Sequence, residues 1–105
     1  MSRQLDKAIA EALGWERHEG LWQGPKKELE ISWPDYSTDG NAMLELDGEM
    51  RERGWDLALR NDVNYLAVYY KDHPGQKAIA HTEPLARALA AYKALTGKEW
   101  EGEGE

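Results

Sequence analysis

Apolar residues recur at Leu5, Ala8, Ile9, Ala12 and Leu13, the spacing of one helical face, and predict a short amphipathic helix over 2–13. Ser2 can cap its start, and Gly14 can end it in the left-handed conformation, turning Trp15 back toward the fold. Charge, Gly20, Gly24 and Pro25 leave room only for a short strand over 21–23. From Glu28 to Trp33 the pattern alternates, with Leu29, Ile31 and Trp33 on one face, and Pro34 then stops the ladder.

A second helix is expected to start among Ser37, Thr38 and Asp39 and to run to about residue 53, with Gly54 as its stop. Ala42, Met43, Leu46 and Met50 form its inward stripe, and Glu45, Asp47, Glu49, Arg51 and Glu52 its solvent face. Gly40 and Gly48 each cost such a helix about 1 kcal/mol relative to Ala, so either the packing is close there or the helix is weak. Alternation resumes over 55–60, a strand apolar on both faces follows over 65–70, and a third strand spans 78–81. Thr82-Glu83-Pro84 opens the best-specified helix, with Leu85, Ala88, Leu89, Tyr92 and Leu95 on its buried face and Gly97 at its end.

The predicted order is α-β-(β)-α-β-β-β-α, an α+β fold in which three helices pack on one small antiparallel sheet of about four to five strands. One domain is expected over 1–97, followed by an acidic, disordered tail over 98–105.

Composition narrows the function. The 105 residues carry no Cys, which excludes disulfides and thiolate metal sites and is compatible with a reducing cytosol. The N-terminus has no apolar signal region, and no apolar run is long enough for a membrane span. A net charge of −7 disfavours DNA, RNA and anionic lipid. The helix, three strands, helix order from residue 39 onward matches double-stranded-RNA-binding domains, but the last helix offers only Arg87 and Lys93 where phosphates would need a basic cluster.

No arrangement of residues carries catalysis. Ser37 sits in no nucleophile elbow and reads as a capping residue, His18, His73 and His81 fit no zinc spacing, and the glycines form no phosphate loop. No cofactor or metal is expected. Five Trp and five Tyr with no Phe suit either the boundary of a small core or a recognition surface.

Three anchors in order, Gly14-Trp15, Pro34-Asp35-Tyr36-Ser37-Thr38-Asp39 and Thr82-Glu83-Pro84-Leu85-Ala86-Arg87-Ala88-Leu89, resemble the phage ABA sandwich domain family over roughly residues 5–96. Gly40-Asn41 and Leu85-Ala86 depart from the family pattern, which bears on local packing. The resemblance implies an α/β sandwich from a phage or prophage, without enzymatic activity, working in the cytoplasm of the bacterial host. A homo-oligomeric counter-defence protein is the expectation, enclosing a nucleotide-like immune signal in a pocket between subunits. Trp33, Tyr36 and Tyr70 would stack the base, and Arg60 and Lys71 would meet phosphate. The alternative is an inhibitor that binds a host protein directly, through exposed aromatics such as Trp22 or Trp100. A small hydrolase is the third reading.

Overall fold

The structure, a computed structural model, describes residues 3–24, 29–30, 32–61, 63–71 and 75–100. Helix α1 spans Arg3–Leu13, strands β1, β2 and β3 span Glu16–His18, Leu21–Gln23 and Leu29–Glu30, and α2 spans Gly40–Glu52. Strands β4, β5 and β6 follow at Asp56–Asn61, Tyr65–Tyr70 and Gln76–Ala80, and α3 closes the fold at Glu83–Thr96. The class is α+β with three helices, but the strands form two antiparallel sheets of three, β1-β2-β3 and β4-β5-β6, rather than one sheet of four to five. No described helix is long and apolar enough to cross a membrane.

The first sheet departs most from the sequence pattern. β1 was not signalled, because a two-residue loop sets it against β2: His18 pairs with Leu21, and Glu19 and Gly20 take φ of 51° and 87°. Positive φ at both loop residues is the twist that a tight hairpin needs. The expected strand over 28–33 is reduced to Leu29–Glu30, with Leu29 exposed and Trp33 in the loop beyond it; Glu28 and Ile31 lie outside the described residues, as does the Ser2 cap.

Helices α1 and α2 end in the same way. Gly14 has φ 107°, its N–H bonds the Glu11 carbonyl, and the Trp15 N–H reaches back to Ala10 at 2.9 Å. Gly54 has φ 93°, and Gly54 and Trp55 bond Arg51 and Met50 in the same register. This paired closure of the last turn requires left-handed backbone, which a residue with a Cβ adopts only at a cost. Each time a Trp is turned back onto the fold, and Trp15 is 6% exposed. Arg53 Nη2 bonds the Leu13 carbonyl at 2.7 Å and so ties the two helix ends together.

Helix α3 is central, packed against β5, β6, α1 and α2. Its fully buried residues are Ala86, Ala88, Ala90 and Ala91, while Leu85, Leu89, Tyr92 and Leu95 pack more loosely around them. Leu5, Ile9 and Leu13 of α1, Leu46 and Met50 of α2 and Ala67 and Tyr69 of β5 complete the core. Beyond Gly97, Lys98 to Trp100 are described: Trp100 meets Tyr92 edge to face at 5.2 Å, and Lys93 pairs with Glu99 at 3.0 Å. Residues 101–105 of the expected tail lie outside the described residues.

Candidate functional site

The loop from Ser32 to Asp39 is shaped by two sets of hydrogen bonds. Within it, the Thr38 and Asp39 N–H groups both donate to the Asp35 carbonyl, which closes a turn, and Asp39 then caps α2 by accepting from the Asn41 N–H. Across the fold, the Ser37 N–H donates at 2.9 Å to Oδ1 of Asp6, a carboxylate on α1 that is 1% exposed. Ser37 is therefore a buried anchoring point and not the cap residue that the sequence suggested. Its Oγ has no hydrogen-bond partner among the described residues.

Anchored in this way, the loop arches away from α2 and leaves a cleft of about 670 Å³. One wall carries Trp15, Trp33, Pro34 and Tyr36, and α2 supplies Asn41, Ala42, Glu45, Gly48 and Glu49. Trp33 is fixed at 5.1 Å edge to face against Trp22 of β2, with Lys7 Nζ 5.9 Å from its ring centre. Tyr36 is buried at 2% exposure, so it gives the cleft a wall more than a free stacking face. Five carboxylates, Glu30, Asp35, Asp39, Glu45 and Glu49, line the cleft; no described Lys or Arg is among its lining residues, though Arg53 reaches Glu49 at 3.9 Å.

Gly48 bears on how the cleft is kept open. A Cβ at Gly48 would meet nothing within 4 Å, so close packing does not explain a glycine that costs the helix about 1 kcal/mol. Having no side chain there leaves the α2 side of the cleft clear. The adjacent Asp47 points the other way: it pairs with Arg51 at 2.9 Å and accepts from Tyr69 Oη at 3.2 Å, holding α2 to β5.

Burial, and then the nearby Asp47 carboxylate, push the Tyr69 hydroxyl well above the ordinary tyrosine range. The folded state thus keeps this proton more tightly than the unfolded chain, whose tyrosines titrate near pH ~10. The resulting stability is complete below that pH and is lost as pH rises above it, at up to about 1.4 kcal/mol per pH unit. Urea midpoints measured from pH 8 to 11 are expected to fall more steeply for the wild type than for Tyr69→Phe. Equal slopes would refute the coupling.

The structure brings together only two of the five residues singled out from the sequence, Trp33 and Tyr36, both at the cleft. Arg60 lines a second, shallower depression of about 330 Å³ with Val63, Asn64, Leu66 and Ile79. Tyr70 lies on the outer face of β5, and Lys71 Nζ sits 5.1 Å over the Trp55 ring. Trp22 is buried in the core and Trp100 packs partly against it. The carboxylates of the cleft were missed as a group because they come from β3, the loop and α2, and only the fold gathers them. Among the described residues, no group of three or more His, Asp or Glu is placed to hold a metal ion.

No protein-family model matches the chain, nor does any curated protein sequence. Among solved structures it is similar to a phage protein from Bacillus cereus ATCC 14579, with a TM-score of 0.76 over 96% of this chain and 92% of that one at 17% identity. At that identity the likeness establishes a shared fold, and the fold is one found in a small phage protein.

Proposed function

We propose that this chain is a non-enzymatic phage accessory protein of the ABA sandwich type that acts by direct binding, its cleft receiving a cationic side chain from a host protein. The observation that carries this reading is the lining of the cleft, where the half-buried Trp33, beside the buried Trp15 and Tyr36, stands with five carboxylates, of which Glu49 also meets Arg53 at 3.9 Å. A guanidinium or ammonium group gains from both kinds of wall, since aromatic faces attract cations and carboxylates form charge-assisted hydrogen bonds with them. A phosphate would meet repulsion in the same place, so the cleft disfavours an anionic nucleotide signal. Blocking a host defence protein through an exposed Arg or Lys fits the cleft better than sequestering a messenger. The phage fold of the similar structure and the −7 charge support the same reading.

The test is calorimetric titration with short arginine-containing peptides beside a panel of cyclic nucleotides. Peptide binding is expected, and Gly48→Leu, which fills the cleft without altering any charge, is expected to weaken it at least about tenfold. Circular dichroism checks that the variant folds. Nucleotide binding without peptide binding would overturn the proposal, as would peptide binding that Gly48→Leu leaves unchanged, since that would be attraction to net charge alone.

A further inference from the structure

The second sheet has one face on α3, and among the described residues much of its other face is exposed. Pairing of Ala58 with Val68 and of Val68 with Lys77 places Asp56, Ala58 and Arg60 of β4, Leu66, Val68 and Tyr70 of β5, and Lys77 and Ile79 of β6 on the side away from Ala67 and Tyr69. Ile79 is 63% exposed and Tyr70 37%. Antiparallel sheets commonly leave one face to water, but such a face is then polar. Here the centre is aliphatic and aromatic, with charge confined to three corners or edges.

The positions form three rows across the strands: Asp56, Tyr70 and the neighbouring Gly75; Ala58, Val68 and Lys77; Arg60, Leu66 and Ile79. A second copy stacked face to face about a two-fold axis along the middle row inverts the rows. Asp56 then meets Arg60 of the second copy, and Arg60 meets its Asp56, so that both charges are neutralised by one symmetry operation. Val68 lies on Val68, Ile79 comes over the side-chain-free Gly75, and the Tyr70 ring approaches the depression beside Leu66. Lys77, also in the middle row, falls opposite Lys77 of the second copy, a like-charge meeting that costs little only because it lies at the sheet edge, where the long stems let both ammonium groups turn out to water. The other in-plane axis, along the strands, would set Arg60 against Ile79 and leave both charges unpaired.

From this self-complementarity we infer that the protein associates with a second copy of itself through the outer face of β4-β5-β6, with reciprocal Asp56–Arg60 ion pairs fixing the register. Sheets stacked this way align within about 30° and bury their facing side chains. Three strands of about six residues give a footprint of roughly 300 Å², well under the roughly 800 Å² per partner of a standard interface. The dimer is therefore weak and forms only at high protein concentration. Arg60 and Tyr70, which the sequence singled out as ligand residues, take part in this contact.

Sedimentation velocity of the full chain, from about 10 µM to about 1 mM, tests the inference. The expected result is a concentration-dependent shift from the 12.0 kDa monomer to twice that mass. Ile79→Glu, at an exposed position, is expected to abolish the shift. Asp56→Arg and Arg60→Asp should each weaken association at least about tenfold, and the double variant should restore it to within about threefold of wild type. Circular dichroism confirms that each variant folds. A monomer throughout the concentration range overturns the inference. So does a dimer indifferent to Ile79→Glu, or a double variant as weak as the single ones.

Discussion

Replacing Asp6 with alanine is expected to destabilise the protein by about 3 kcal/mol, as read from urea denaturation. The carboxylate is 1% exposed and accepts the Ser37 N–H at 2.9 Å across 31 residues of chain. Removing it leaves a buried backbone N–H unpaired, which costs about 1–3 kcal/mol, and adds the loss of a charge-assisted bond. Some of this is offset because a buried charge no longer has to leave water. Asp6→Asn keeps an accepting oxygen of the same size and should lie between wild type and alanine. Because this bond holds the loop that forms the aromatic wall, Asp6→Ala should also reduce peptide binding at the cleft. A loss under about 0.5 kcal/mol, within the range of ordinary surface substitutions, would show that the anchor contributes little.

Asp6 also shows where the sequence stops being legible. The apolar series Leu5, Ala8, Ile9, Ala12 and Leu13 marks a helix correctly, but it places the buried stripe on the wrong side of the Leu5–Ile9–Leu13 ridge. In the structure the stripe widens toward Asp6 and Ala10, both buried, and Ala12 is exposed. Hydrophobic pattern assigns an Asp to water, so a buried acid that serves as a tether is invisible until its partner 31 residues away is known. Asp47 repeats the point on α2, where it was assigned to the solvent face yet accepts from the buried Tyr69. Helix ends were legible because they obey local rules: Gly14-Trp15 and Gly54-Trp55 close as their glycines predict, and Thr82 caps α3. Sheet membership was not, because nothing local distinguishes strands that pair with each other from strands that join a common sheet. The cleft was half legible, since Trp33 and Tyr36 stand at a recognisable strand-to-helix junction, while its acids are assembled from separated segments.

Ala90→Leu in α3 is expected to cost about 3 kcal/mol or to prevent folding. At about 100° per residue, Ala86 and Ala90 lie on one side of the helix, and Ala88 and Ala91 lie on nearly the opposite side. All four are fully buried, which agrees with the contacts α3 makes to α1, α2, β5 and β6. A helix enclosed on two sides cannot shift away from a larger residue on one side without pressing on the other, so small side chains are what let these elements approach. The sequence pattern named only one buried face, because alanine is also the residue most at ease on an exposed helix. Ala12→Leu on α1 is the matched control: the same added atoms at an exposed position should change stability by less than about 0.5 kcal/mol. The milder Ala90→Gly, expected to cost about 1 kcal/mol through helix propensity, keeps the comparison measurable if the leucine variant does not fold. Equal effects of leucine at positions 12 and 90 would refute the two-sided enclosure of α3.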